Sequence, residues 1–115
     1  MIKAIVLLPR REDMDRKDFD RYFRETHLPL VVKMPGLRRL VVNWVMADPS
    51  GPPAEYDAVA EDWFDDLQAM EAAFASPEGK AVADDAPHFL DMGRFRLLVG
   101  QEEDIPLPAV QPTGR

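Results

Sequence analysis

Hydrophobic residues along the chain first form a short run and then a helical stripe. The run over residues 2–8 is aliphatic, partly β-branched and ends at Pro9, which predicts a strand. Asp15 follows as a helix N-cap, with Met14 and Phe19 at the positions of a hydrophobic staple. One face of an amphipathic helix is then predicted by side chains at three- and four-residue steps: Phe19, Tyr22, Phe23, Thr26, His27 and Leu30.

Prolines and glycines mark the boundaries of the remaining elements. Pro29 disfavours helical backbone at Leu28, so the first helix is expected to end or kink within about two residues of His27. Pro35-Gly36 predicts a turn, and the breaker-rich segment 48–53 predicts a loop. The other predicted elements are strands over 37–47 and 56–64, a helical stripe (Leu67, Met70, Ala73, Phe74), a short helix from Pro77 towards Pro87, and a last strand that includes Phe95, Leu97 and Val99.

The order of elements is β-α-β-β-α-β, which predicts an α+β, ferredoxin-like fold. Two helices then pack on one face of an antiparallel four-stranded sheet. We expect residues 1–100 to form this domain and residues 101–115 to form an extended, proline-rich C-terminal tail.

The sheet face opposite the helices is expected to be an interface. Neither parity of the strands is cleanly polar, and Trp44, the valines of the second strand and Leu7 or Leu8 are candidates for the open face. A contiguous apolar patch usually marks an interaction surface. The pattern therefore predicts a homodimer through the sheet faces, and the alternative is an open face of mixed polarity.

Composition excludes several classes of function. Asp and Glu number 21 against 14 Lys and Arg, so the net charge of −7 disfavours a nucleic-acid partner. No apolar stretch approaches the length needed to span a membrane, and no signal peptide is evident. The absence of cysteine excludes disulfides and thiolate metal sites and is compatible with a cytoplasmic protein. Two histidines far apart in sequence predict no metal site.

Several segments together resemble the EthD family. They are Arg24-Glu-Thr-His27-Leu-Pro29-Leu-Val, Pro35-Gly36-Leu-Arg38, Tyr56-Asp-Ala-Val-Ala-Glu-Asp-Trp-Phe64, Ser76-Pro-Glu-Gly79 and Asp85-Ala-Pro-His-Phe-Leu-Asp91. The resemblance covers roughly residues 1–100 and implies a dimeric α/β barrel. Its superfamily includes cofactor-independent monooxygenases, polyketide cyclases and dehydratases, muconolactone isomerases and haem proteins.

His27 is the main candidate catalytic residue. It shares an apolar helix face with Phe23, and an imidazole there can exchange a proton near neutral pH. The alternative is a core histidine bonded to a backbone carbonyl, but the resemblance implies a histidine that lines the pocket. Tyr22 lies five residues earlier, which offsets it by about 140° on an α-helix. It is a candidate hydrogen-bond donor or a half-buried aromatic.

The candidate substrate-binding residues are Tyr22, Phe23, Trp44, Asp62 and His88. Aromatic walls suit a planar hydrophobic ligand, although aromatics are more often core residues. Glu61 and Asp62 face opposite sides of a strand, so one carboxylate is expected to point inward, where burial favours its neutral form. His88 has Asp84 and Asp85 four and three residues before it, so a local pair is an equally simple interpretation.

Arg38 and Arg39 stand beside the turn and are expected to pair with Glu61 or Asp62. No glycine-rich phosphate loop or nucleophile elbow is present, so no cofactor is predicted. We therefore expect a cofactor-independent enzyme of the dehydratase, cyclase, isomerase or monooxygenase type. Its substrate is a small hydrophobic or aromatic, polyketide-like compound. The alternatives are a non-catalytic ligand-binding or accessory protein of an oxidative degradation pathway and, less favoured, a haem protein with His27 as axial ligand.

Overall fold

A computed structural model describes residues 1–46 and 54–110. Its strands form one antiparallel sheet in the order β2-β3-β1-β4, with the helical segments between β1 and β2 and between β3 and β4. The predicted ferredoxin-like α+β fold is therefore confirmed. The loop predicted over 48–53 lies outside the described residues. The strands are β1 (Ile2–Leu8), β2 (Arg39–Trp44), β3 (Ala58–Phe64) and β4 (Arg96–Gln101), and the helices are α1 (Arg16–Tyr22), α2 (Leu28–Val31), α3 (Leu67–Ala75) and α4 (Pro77–Asp85).

The first helical segment is longer than predicted. The Asp15 side chain caps α1 by accepting a 2.8 Å hydrogen bond from the backbone N–H of Asp18. A π-helical turn (Phe23–His27) then leads directly into α2. Of the expected end or kink near His27, the end is wrong, because the helix continues with Pro29 in the first turn of α2, where a missing N–H costs little. The π turn, which is wider than an α-helical turn, accommodates the change in winding between α1 and α2.

A close contact between α3 and α4 fixes the direction in which α4 runs. The Ser76 side chain caps α4 by accepting from the N–H of Gly79, and Pro77 occupies the first helical position. A Cβ at Gly79 would lie 2.3 Å from the backbone oxygen of Ala73 and 2.6 Å from that of Phe74. Only glycine permits this approach. The contact sets the path of α4 towards Asp85 at its C-terminal end.

The two faces of the sheet differ in polarity. The helix side carries the core, including Ala4, Leu8, Ala58, Ala60 and Phe64. On the open side, Lys3 and Asn43 contact the Glu61 carboxylate at 2.7 and 3.0 Å, and Lys3 also lies over the ring of Trp63. Trp44, a candidate both for the open face and for the binding site, packs on Phe23 within the helix-side core.

The open face is thus mixed rather than uniformly apolar. In register across β1 and its neighbours it carries Ile5, Leu7, Val59 and Leu98 beside the charged residues. Within the described residues, no helix is long and apolar enough to cross a membrane.

Replacing Gly79 by alanine is expected to destabilise the protein by about 1–3 kcal/mol, because the added methyl group meets backbone that cannot move independently. Urea unfolding measures the change in the free energy of unfolding. Gly93→Ala is the control, since its Cβ would lie 3.3 Å from the Asp91 side chain rather than against backbone. Equal stability of the two variants would contradict the close-contact argument.

Candidate functional site

A partly open, apolar cavity of about 230 Å³ lies between the helices and the sheet. In the described part of the chain, His27 and Asp62 are the only polar side chains in its wall. The other lining residues are Val6, Leu8, Phe23, Leu28, Val31, Met34, Leu40, Ala60, Phe74, Gly79, Val82, Ala83, Ala86, Leu90, Met92, Phe95 and Leu97. Such a cavity, apolar with a few polar groups, is typical of a small-molecule site.

His27 is held by a carboxylate from the far end of the second helical segment. Its Nδ1 lies 2.9 Å from Asp85 Oδ2, and its side chain is only 6% exposed. An ionised carboxylate only accepts, so the proton resides on Nδ1 and leaves the Nε2 lone pair free. No hydrogen bond to Nε2 occurs within residues 1–46 and 54–110. The ring packs against Phe89 and Phe23, with centroids 4.7 and 5.9 Å away.

The π-helical turn brings Tyr22 and His27 to the same partner. The Tyr22 hydroxyl donates to Asp85 Oδ1 at 2.6 Å while His27 contacts Oδ2. The 140° offset expected for an α-helix does not apply, because a π turn bonds residues five apart, as Leu28 N–H does to the Phe23 carbonyl. Residues at that spacing then lie on one face. Sequence alone gave no indication of the π turn.

The electrostatics of this triad keep Asp85 ionised and His27 neutral. Burial raises the pKa of the Asp85 carboxyl, but hydrogen bonds from Tyr22 and His27 outweigh it and leave the pKa below its ordinary value. Burial lowers the pKa of His27, and Asp85 offsets this only in part. Burial and the bond to Asp85 raise the pKa of Tyr22 to about 12. A neutral imidazole oriented by a carboxylate is a competent general base.

Asp62 is the second polar group of the cavity. Its residue is 5% exposed, and its Oδ1 has no hydrogen-bond partner within the described residues. Burial raises the pKa of its carboxyl to about 6. The expected pairing with Arg38 is wrong, because Arg38 reaches the exposed Asp65 at 2.9 Å. Of the two candidate carboxylates, Asp62 is therefore the one that faces inward.

The other candidate site residues are only partly brought together. Phe23 lines the cavity beside His27. Trp44 lies outside the lining and packs on Phe23, with ring centroids 5.4 Å apart. His88 is also outside it; its side chain is 67% exposed, and its Nδ1 lies 3.1 Å from the Asp85 carbonyl oxygen. Tyr22 reaches the site through Asp85 rather than through the cavity wall.

Asp85 is the residue that sequence reasoning missed. It was considered only as a local partner of His88, whereas its carboxylate joins Tyr22 and His27 from another helical segment. One signal was available. A negative charge in the last turn of a helix is unfavourable, so an acidic residue there needs a compensating partner. In the described part of the chain, no group of three or more His, Cys, Asp or Glu side chains is arranged as metal ligands.

Comparison with known proteins identifies the family. The EthD domain model matches residues 11–93, and the chain belongs to the EthD family. An uncharacterized 11.0 kDa protein from the thcB-thcC intergenic region of Rhodococcus erythropolis is 32% identical over 92 residues, covering 80% of this chain and 88% of that protein. The crystal structure of an EthD family protein from Bacillus halodurans is similar at a TM-score of 0.79 and 33% identity, covering 90% of this chain and 99% of that one.

More distant structures share the fold alone. A dimeric protein of unknown function with a ferredoxin-like fold from Bacteroides fragilis is 19% identical at a TM-score of 0.65, with 88% of this chain and 95% of that chain covered. SnoaB, a cofactor-independent oxygenase from Streptomyces nogalater, is 13% identical at a TM-score of 0.62, with 90% and 94% covered. The same architecture thus occurs in a dimer and in an enzyme.

The buried Asp62 carboxyl is expected to make stability fall as pH rises. Its folded pKa of about 6 exceeds the ordinary 3.8, so the folded state binds the proton more tightly than the unfolded state. Its contribution is complete below about pH 4 and is lost by about pH 6–7, a change of about 3 kcal/mol. Urea unfolding of the wild-type protein and of Asp62→Asn across this pH range measures the difference between their free energies of unfolding.

Asp65→Asn is the matched control, because Arg38 lowers the pKa of that exposed carboxyl. Its difference from wild type should show no such fall. A pH-independent difference between wild type and Asp62→Asn would contradict the raised pKa of Asp62.

Proposed function

We propose that this EthD family protein is a cofactor-independent enzyme that acts on a small hydrophobic or aromatic, polyketide-like compound. The observation that carries the proposal is His27, oriented by Asp85 at the wall of an apolar cavity. His27 serves as general acid/base in a dehydration, cyclisation, isomerisation or oxygenation. We place the protein in the cytosol, in a catabolic route, as part of the same proposal.

Each group around His27 has a defined task in this proposal. Asp85 accepts from Nδ1 and holds the tautomer in which Nε2 takes a proton from the substrate. It also stabilises the imidazolium that forms, and the Tyr22 hydroxyl keeps the Asp85 carboxylate in position. Phe23 and the aliphatic wall exclude water, which strengthens these electrostatic interactions. The proton returns from Nε2 to the product.

The fold shared with SnoaB supports an enzymatic role, because that oxygenase also needs no cofactor. The second candidate is a non-catalytic ligand-binding or accessory protein. It is favoured by the exposed tail after β4, where Ile105 and Leu107 are 66% and 73% exposed and available to a partner.

Haem binding fits the described site poorly. The cavity of about 230 Å³ is smaller than the usual 300–1,000 Å³ of drug-sized pockets, and a porphyrin is larger still. The His27 side chain is also almost fully buried. We therefore derive no step through haem.

His27→Ala is expected to lower kcat by about 10²–10⁴-fold, the usual contribution of a general acid or base. A panel of aromatic and polyketide-like compounds is incubated without added cofactor, and products are identified by mass spectrometry. Thr26→Ala is the control, because Thr26 is exposed on the same helical turn. Equal turnover by the His27 and Thr26 variants would remove the catalytic role. Binding of compounds without turnover would favour the ligand-binding alternative.

The pH profile of the same reaction tests the role of Asp85. Because burial lowers the pKa of His27, kcat/KM should rise with pH and have its midpoint below the ordinary pKa of 6.5. Asp85 raises the pKa of His27, so Asp85→Asn should move the midpoint to lower pH as well as reduce kcat. An unchanged midpoint would mean that Asp85 has only a structural role.

We also propose that the chain forms a homodimer through its open sheet face, as supported by the dimeric relative of the same fold. Leu98→Glu is expected to dissociate it, because Leu98 is 54% exposed and lies opposite Ile5 on that face. Light scattering should report a fall from twice 13.0 kDa to the single-chain mass. Val32→Glu, at a 61% exposed position on the helical side, should leave the mass unchanged.

A further inference from the structure

Asp62 differs in polarity from the residues around it. On the helix side of β3 it follows Ala58 and Ala60 and precedes Phe64, all buried and apolar. Its partners in register on β1 and β2 are Ala4 and Leu40, so no cation faces it across the sheet. An apolar side chain at this position would continue the core without any desolvation penalty.

The Asp62 carboxylate belongs to the cavity wall and not to a hydrogen-bond network of the fold. The residue is 95% buried, Oδ1 has no partner within the described residues, and the side chain lines the same apolar space as His27. Buried polar groups in native proteins are nearly always paired, so an unpaired one indicates a missing partner. The cavity is where that partner has room.

We propose that Asp62 is the specificity-determining binding residue of this cavity and selects compact, largely apolar ligands that carry a hydroxyl group, such as single-ring phenols or the enols of cyclic ketones. This inference rests on the proposed function and narrows its substrate class. The ligand hydroxyl donates to the Asp62 carboxylate, while another part of the ligand approaches His27. Asp62 thus orients the molecule, and His27 exchanges the proton.

The size and polarity of the cavity favour this ligand class. A protein cavity of about 150 Å³ binds benzene, so about 230 Å³ accommodates one ring with small substituents. The polar groups of the cavity wall are the Asp62 carboxylate and the His27 imidazole, within the described residues. A ligand with one hydroxyl group can donate to the carboxylate and leave the His27 Nε2 lone pair for proton exchange.

The probes are phenol and toluene, which have the same shape but differ in the presence of a donor. Their dissociation constants are measured by NMR titration for the wild-type protein and for Asp62→Leu. The expected result is that the phenol-to-toluene affinity ratio falls by about tenfold or more in Asp62→Leu, with toluene binding retained. Asp65→Leu, which alters an exposed carboxylate, should keep the wild-type ratio. Asp62→Asn, which keeps an acceptor at nearly the same shape, should fold normally and give an intermediate ratio.

An unchanged ratio in Asp62→Leu would overturn the assignment of Asp62. Toluene binding with no loss of phenol selectivity would leave the small-molecule cavity, and hence the proposed function, intact. If neither probe binds the wild-type protein, the proposed function fails together with the inference. Retention of phenol selectivity in His27→Ala would further support Asp62 as the residue that selects phenol over toluene. Loss of that selectivity in His27→Ala would assign the selection to His27 instead.

Discussion

The Asp85 carboxylate connects the two helical segments on which the site depends. Its two oxygens accept hydrogen bonds from the Tyr22 hydroxyl and from His27 Nδ1. These two residues stand at either end of the π-helical turn. A carboxylate in the last turn of α4 is unfavourable towards the helix dipole, and the two donors compensate for it. The interaction therefore orients the imidazole and joins the segments at the same time. Its geometry requires the π turn on one side and the close α3–α4 contact on the other.

The cavity contains two titratable groups whose environments act differently. His27 is paired, and burial lowers its pKa, so it stays neutral and basic. Asp62 is unpaired, and burial raises its pKa, so it holds its proton to higher pH than an exposed aspartate. Separated environments of this kind are how one small site supplies both proton transfer and ligand orientation. The apolar wall makes both effects possible because it removes the water that would screen them.

Membership of the EthD family accounts for the fold but not for the reaction. The architecture is shared with an oxygenase and with a dimeric protein of unknown function, so activity has to be argued from the site. Here the cavity volume, the His27–Asp85 pair and the unpaired Asp62 carboxylate restrict the chemistry more than the fold does. On the open sheet face, the charged Lys3 and Glu61 lie beside Trp63 and aliphatic side chains.

Local periodicity and turn chemistry predicted the order of elements, the N-cap at Asp15 and the position of His27 on an apolar helix face, because these features depend on residues close in sequence. Tertiary packing decided which face Trp44 takes, which of Glu61 and Asp62 points inward, and that Asp85 is the partner of His27. Those outcomes depend on a π turn that no local sequence pattern predicts, and on a contact between residues 58 positions apart. Periodicity constrains a side chain to one face of its element, whereas packing decides what that face meets.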